Sequence, residues 1–359
     1  MGSGARRRRR AGRVLTTRSG ATLINPEFWA WGGFIAFVLV VLAIDLGVLN
    51  KKDHVVSIRE ALRFTAALVV LAACFSAVIY TLYENHLLGL GTHVDKLDGV
   101  TNDGRLAAVK FITGYVIELS LSADNVFVIA LIFQYLKVPP QYQHRVLFWG
   151  ILGALVMRGT MILVGASLIA RYHWILYLFG VFLVYTSVKM LLTRDDDETP
   201  GEGLVLRQLR RAFPITNSYH GHHFAIREHG KRILTPLAVA LVLVETTDLI
   251  FAVDSIPAIF AITTDPFIIF TSNVFAILGL RSLYFALAGA IEKFRYLKVS
   301  LSAILGLVGV KMLVADLLKD FLGPNFNFWL LGIVASILAA GVLASWLHPR
   351  QDDPAPPGA

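Results

Sequence analysis

The chain has 359 residues, 56% of them apolar and only 16% charged, with a mean hydropathy of +0.64. A soluble domain carries about 25% charged residues, so this composition leaves too little solvated surface for a soluble enzyme. The formal net charge is +8, but the positive residues fall between apolar runs, where they set membrane orientation rather than nucleic-acid affinity, and a single cysteine excludes a disulfide framework or a thiolate pair for zinc.

About 20 apolar residues in a helix cross a bilayer core. Nine runs approach or exceed that length: 29–49, 61–83, 107–136, 146–170, 174–192, 234–262, 267–291, 298–318 and 327–347. The pattern predicts an all-α, polytopic helical membrane protein. A basic tail, 1–28, read as disordered, precedes the transmembrane domain at 29–347, and a short tail at 348–359 follows it. The Lys and Arg of the connections divide unequally between the two sides. One set of connections holds seventeen, from Lys51 through the 193–233 segment to Arg350, and the other holds four, Lys96, Arg105, Arg171 and Lys319. The positive-inside rule places the first set in the cytoplasm. The C-terminus is then cytoplasmic and the N-terminus outside, although Arg6–Arg10, Arg13 and Arg18 of the tail oppose that vote. The 193–233 connection carries the acidic run Asp195–Glu198, then a basic stretch with Arg207, Arg210 and Arg211, and the string Tyr219–His223. It reads as a solvated linker between two halves or as a metal-collecting loop.

The two sides of that linker repeat each other. Glu118-Leu-Ser-Leu-Ser-Ala-Asp-Asn aligns with Asp248-Leu-Ile-Phe-Ala-Val-Asp-Ser, so Glu118 matches Asp248 and Asp124 matches Asp254. Arg158 then matches Arg281, and Lys189-Met-Leu matches Lys311-Met-Leu, in the same order. Each copy holds three spans, 107–192 and 234–318. An odd number of spans inverts the second copy, which is the architecture of secondary transporters with their site near the midplane between the repeats.

Charge at the bilayer centre costs at least about 2.5–3.5 kcal/mol per group, so the intramembrane ions must face each other or a polar cavity. The carboxylates Glu118, Asp124, Glu245, Asp248 and Asp254, with Asn125, read as ligands for a cation. Arg158, Arg281, Lys189 and Lys311 read as structural ion-pair partners. Asp45 and Asn273 read as further polar lining. Six residues turn a straight helix through 600°, which leaves Glu118 and Asp124 about 120° apart. A break in each helix is therefore expected, at Pro257 in one copy and around Ser120–Asn125 in the other, so that Asp124 and Asp254 become paired ligands beside freed carbonyls. An all-oxygen donor set suits Mg, Ca or Mn rather than Zn or Cu. With no P-loop, no His-Glu-x-x-His and no nucleophile elbow, the sequence predicts no catalytic residue, no cofactor and no enzymatic activity.

Several long strings carry a resemblance: Asp45-Leu-Gly-Val-Leu-Asn-Lys-Lys-Asp-His, Glu118-Leu-Ser-Leu-Ser-Ala-Asp-Asn-Val-Phe, Tyr142-Gln-His-Arg-Val-Leu-Phe-Trp-Gly, Glu245-Thr-Thr-Asp-Leu-Ile-Phe-Ala-Val-Asp-Ser-Ile-Pro and Thr271-Ser-Asn-Val-Phe-Ala-Ile-Leu-Gly-Leu-Arg. Over about 30–320 the chain resembles the tellurium-resistance TerC/Alx family. That resemblance implies a multipass protein of the bacterial inner membrane that exports Mn²⁺ as its substrate or otherwise serves metal homeostasis. Tellurite resistance would be indirect, because a carboxylate-lined site repels an oxyanion. The family's metal-site residues would fall on Glu118, Asp124, Asn125, Glu245, Asp248 and Asp254. The partners implied are a divalent metal ion and the lipid bilayer, with no nucleic acid. The alternative function is a membrane scaffold, or an assembly or metal-delivery partner of other membrane proteins.

Overall fold

The computed structural model describes residues 26–44, 58–172, 174–192, 202–216, 218–228, 231–287, 296–314 and 326–347. Asp45, Asp195–Glu198, the tail up to residue 25 and the tail from 348 lie outside the described residues, and so does the side chain of Asp124. Every predicted run appears as a helix: α1 (Glu27–Ile44), α2 (Ile58–Glu84), α3 (Gly104–Tyr135), α4 (Pro140–Arg171), α5 (Ile175–Leu192), α7 (Pro236–Phe260), α8 (Pro266–Leu287), α9 (Leu297–Leu313) and α10 (Phe326–Leu347). All but α9, with 17 described residues, are long and apolar enough to cross a membrane. The protein is a polytopic helical membrane protein.

The ends of the helices follow local chemistry. Asp103 caps α3 by accepting from the Leu106 amide at 2.7 Å, and Asp265 caps α8 by accepting from Phe267 and Ile268 at 3.0 and 3.3 Å. Proline occupies the first turn of α4 and α7, where its missing N–H is no loss. That is why α4 begins at Pro140, six residues before the apolar run that predicted it.

The 193–233 segment is more structured than a linker. It holds an amphipathic helix, α6 (Glu202–Ala212), and a hairpin of β1 (Ala225–Glu228) and β2 (Lys231–Leu234). Leu206, Leu209, Ile215, Tyr219 and Phe224 pack on the apolar cluster around Leu237 and Val138, and Tyr219 donates to the Leu136 carbonyl at 2.7 Å. The few apolar residues of that segment are its anchors, and at 3.6-residue or alternating spacing they are too sparse to register as a hydropathy run.

α8 is the central helix. Thr271, Ser272 and Asn273 in its first half are buried, and it packs against α2, α3 and α4. Aromatic rings dock α1 and α2 to it: Phe34, Phe75 and Phe275 lie with centroids 4.8–6.2 Å apart. Outward, α5 exposes Leu178, Val181, Tyr185 and Leu191, and α7 exposes Leu249, Ile250 and Val253. Apolar residues facing outward at this density have lipid as their solvent.

The repeat is visible as packing. α3 and α7 run antiparallel: the loop before α3 meets the turn after α7, through Asp95 to Thr263 and Thr264, while the end of α3 meets the segment that leads into α7, through Tyr219. α3 packs on α8 as α7 packs on α4, and α5 packs on its counterpart α9. The alignment of Lys189 with Lys311 also exchanges Ser187 with Gly309 and Gly180 with Ser302. The pair Ser187–Ser302 and its image Gly309–Gly180 are both contacts. Ser187 donates to the Ser302 carbonyl at 2.9 Å and Ser302 returns a bond to the Ser187 carbonyl at 2.7 Å. On the other side of the axis, a Cβ on Gly309 would lie 3.0 Å from the Gly180 carbonyl oxygen. Small residues at this crossing let the two backbones touch.

Candidate cation site

Two carboxylates, one from each copy of the repeat, meet at mid-bundle. Asp248 stands twelve residues from either end of α7, and Glu118 lies near the middle of the 32-residue α3. Both are buried, at 4% and 1% exposure. Arg158 of α4 lies between them. Its Nη1 donates to Glu118 Oε1, and its Nη2 donates to Asp248 Oδ1 at 3.1 Å. The same Nη1 reaches Ser255 Oγ and Asn273 Oδ1, both at 3.2 Å. Asn125 donates through Nδ2 to Asp248 Oδ1 at 2.8 Å.

The helices do this without breaking, which corrects the expected unwinding. α3 is continuous through Ser120–Asn125, and the Ser120 hydroxyl bonds back to the Val116 carbonyl inside its own helix. α7 is continuous through Pro257, which stands so near the C-terminus that only the Val253 carbonyl loses a donor, and Ala261 still bonds to the Pro257 carbonyl at 3.1 Å. Convergence comes from a different spacing. Seven residues turn a helix through 700°, about 20° short of two full turns. Glu118 with Asn125, and Asp248 with Ser255, therefore share a face on straight helices, and these two pairs are matched by the repeat. Six-residue spacing turns Asp254 away from that face: its Oδ1 accepts from Thr186 of α5 at 3.4 Å, with Lys189 in electrostatic reach.

Glu118, Asn125 and Asp248 are thus brought together, with Arg158 and Asn273, and Asp254 stands apart. Glu245 lies one turn before Asp248 on the same helix, half-buried, with its carboxylate against the bare face of Gly153 on α4. Lys311 is structural: it donates to the Ala261 carbonyl at 2.9 Å and to Asn327 Oδ1 at 3.2 Å, tying α9 to the end of α7 and the start of α10. Arg281, the repeat's counterpart of Arg158, is buried on α8 about two turns beyond Asn273.

Three oxygens of the cluster, Glu118 Oε2, Asp248 Oδ2 and Asn125 Oδ1, are buried with no hydrogen-bond partner. Buried acceptors in this state are rare in folded proteins. With both acids ionised the two carboxylates and one guanidinium sum to a single negative charge, and the free lone pairs point to positive charge as the missing partner. The donor set is hard oxygen, of the kind that holds Ca²⁺, Mg²⁺ or Mn²⁺. Among the described residues, no three of His, Cys, Asp and Glu stand close enough to hold a metal ion by themselves, so Asn125 would have to supply the third ligand. His220, His222 and His223 are exposed.

A second polar centre, at the end of the bundle formed by 85–103 and 261–265, escaped the sequence reading. Asp95, buried, accepts from Lys110 Nζ at 2.8 Å, from Thr263, and from the Thr264 hydroxyl and amide at 2.7 and 3.0 Å. Lys110 also bonds Asn102 Oδ1 and Asp98 Oδ2, both at 2.7 Å. Burial pushes the Asp95 carboxyl up, but the Lys110 charge and the hydrogen bonds outweigh it and hold its pKa at about 2. Next to it, burial raises the Asp265 carboxyl, which accepts from Tyr83 at 2.9 Å. Lys110, placed near the end of a predicted span with Asp95 and Asp98 just upstream, was the available signal.

The Integral membrane protein TerC family matches residues 104–353. An uncharacterized membrane protein of Myxococcus xanthus, STKORF319, is 49% identical over 327 residues, covering 91% of this chain and 94% of that protein. Proteins described as putative membrane-bound redox modulator Alx are 43% identical in Photorhabdus laumondii, over 89% of this chain and 95% of the relative, and 42% identical in Escherichia coli K12, over 90% and 96%. No solved structure matches. From the matched strings, the two-copy helical bundle and these relatives it follows that the chain belongs to the TerC family of integral membrane proteins.

Proposed function

We propose that this protein is a secondary transporter that exports a divalent metal cation, Mn²⁺ first among them, and so serves metal homeostasis. One observation carries the reading: three unpartnered oxygens, from Glu118, Asn125 and Asp248, gathered halfway along the bundle between two inverted copies of the fold. That is where transporters of inverted-repeat architecture hold their cargo. The ligand chemistry is oxygen with excess negative charge, which selects hard divalent cations. Glu245, one turn from Asp248, and Asp124 extend the proposed acidic lining, Asp254 stands outside it against α5, and protons are the natural counter-substrate for a site made of carboxylates. The reaction needs no resident cofactor and no catalytic residue. The orientation proposed is that of a bacterial inner-membrane protein with its C-terminus in the cytoplasm and its N-terminus outside.

The test is uptake of Mn²⁺, Ca²⁺ and Mg²⁺ into everted membrane vesicles, measured in parallel under an imposed proton gradient. Gradient-dependent Mn²⁺ uptake that disappears in Glu118→Gln and Asp248→Asn supports the reading. Absence of uptake for all three ions, with the protein present in the vesicles, overturns it.

A second reading is favoured by Arg158, which already bridges both acids as a bundle-holding ion pair would. On that reading the protein is a scaffold or metal-delivery partner with no transport of its own, and Glu118→Gln would lower the amount of folded protein without a transport phenotype. The redox role in the name of the Alx relatives comes to this chain only indirectly. An intrachain dithiol couple needs two cysteines, and Cys74 is the single one. A transporter that sets the supply of a redox-active metal would modulate redox state without a thiol pair.

A further inference from the structure

The cluster holds a group that its proposed task does not require and whose charge opposes that task. A guanidinium fixed between Glu118 and Asp248 repels any cation that approaches the remaining oxygens of the same two carboxylates. Two arrangements are open. In one, Arg158 stays and the metal binds beside it, against like-charge repulsion and with a single net negative charge to attract it. In the other, Arg158 leaves the acids as the metal arrives, and two carboxylates then balance a divalent ion.

We propose that Arg158 is a tethered stand-in for the transported cation, holding Glu118 and Asp248 together in the metal-free protein and giving way to a divalent ion when one binds. The inference rests on the transport reading above. Three features of the cluster support it. The guanidinium makes one contact to each acid and leaves one oxygen of each free, so a cation can engage Glu118 Oε2 and Asp248 Oδ2 before Arg158 lets go. Two neutral acceptors, Ser255 Oγ and Asn273 Oδ1 at 3.2 Å, keep hydrogen bonds to the guanidinium when the acids are taken from it. Arg158 Nε is itself buried without a partner, so the side chain is not fully committed to its present position as a purely structural arginine would be. The device answers a physical problem. Two buried carboxylates facing one another with neither metal nor base between them would be forced apart or would take up protons. An internal cation holds the metal-free site together and leaves a single net negative charge, which a counter-substrate proton can neutralise on the return half-cycle.

In the stand-in role Arg158 is a competitor for the site, and removing it should tighten metal binding. A structural tie would do the reverse, because its loss disorders the ligands. The experiment is calorimetric titration of the purified full chain in detergent with MnCl₂, for the parent, Arg158→Gln and Arg158→Lys. Arg158→Gln is expected to bind Mn²⁺ about tenfold or more tightly than the parent, as removal of an adjacent like charge requires, while its Mn²⁺ turnover in vesicles falls because the empty carrier returns poorly. Arg158→Lys, which keeps the charge, is expected at or near the parent affinity. Arg158→Gln that binds Mn²⁺ no better than the parent overturns the proposal. Should Arg158→Gln fail to fold, Glu118→Gln is compared with the double variant Glu118→Gln/Arg158→Gln: tighter binding by the double variant supports the stand-in, and equal or weaker binding overturns it. A parent protein that binds and transports Mn²⁺ while Arg158→Gln gains nothing defeats only this inference. A parent that binds none of Mn²⁺, Ca²⁺ and Mg²⁺ defeats the transport reading and this one with it.

Discussion

At the scale of single residues, a difference of one position in spacing decides which acids can work together. Seven-residue spacing keeps Glu118 and Asn125 on one face, while six-residue spacing sends Asp254 to Thr186. Asp248→Asn and Glu118→Gln should therefore weaken Mn²⁺ affinity by about tenfold or more, since each removes a full ligand charge. Asp254→Asn should cost less, as checked by the same titration; an equal loss would place Asp254 in the ligand set during some step of the cycle. Asp95 makes a prediction of a different kind. Its pKa falls from 3.8 to about 2 on folding, so its ionised form contributes stability on the order of 2 kcal/mol that is fully present above the unfolded pKa and is lost as the pH drops through about 2. The difference in melting temperature between the parent and Asp95→Asn should be constant above about pH 5 and should narrow toward pH 2.

At the scale of elements, the α5–α9 crossing is held by backbone-to-backbone contact. Gly180 and Gly309 each face the other's carbonyl oxygen, at 3.2 and 3.0 Å from a built Cβ, and Leu183 Cβ lies 2.9 Å from the one on Gly309. Backbone cannot retreat as the tip of a flexible side chain can. Gly309→Leu should therefore destabilise by at least the about 1–3 kcal/mol of ordinary overpacking, read as a loss of thermal stability in detergent. Ser187→Ala, which removes an interhelical hydrogen bond worth about 0.6 kcal/mol in membranes, should lower it only slightly. If the two substitutions are equally mild, the helices are free to separate at this crossing. The elements also show why the expected helix breaks were unnecessary. Pro257 falls in the last turn of α7, and Ser120 of α3 satisfies its hydroxyl on the Val116 carbonyl of its own helix.

At the scale of the whole molecule, the connections sort to two ends. Lys96 of the 85–103 loop donates to the Ala170 carbonyl at the end of α4 at 2.7 Å, and Asp95 reaches the α7–α8 turn. The α6–hairpin segment gathers at the opposite end with Leu136 and Leu237. This two-sided sorting is the one on which the seventeen-to-four division of Lys and Arg was counted. Single cysteines at Ser218 and Thr101, in a Cys74→Ala background, should label from opposite sides of the membrane, Ser218 from the cytoplasm and Thr101 from outside. Labelling of Ser218 from outside would reverse the orientation while leaving the repeat intact.

The sequence by itself determined the nine helices, their membrane setting and the two inverted copies, because a bilayer reduces each of these to a property of a contiguous stretch: apolar length, flanking charge or a recurring string. It also selected Glu118, Asn125 and Asp248, since an acid or amide in an apolar run stands out one residue at a time. Only the tertiary structure decided which charges meet. The sequence marks Arg158 as an ion-pair partner without saying of which acids, and the structure gives it both Glu118 and Asp248; the expected pairing of Asp254 with Asp124 fails on the side of Asp254, which turns to α5. The Asp95–Lys110 centre likewise shows in the sequence only as Lys110 near the end of a span, because its other parts lie on two connections, 85–103 and 261–265, and gain meaning only where those connections touch α3. A pairing between helices depends on their rotation and axial offset, and those are set by packing across the whole bundle, such as the glycines of α5 and α9, rather than by any local run of sequence.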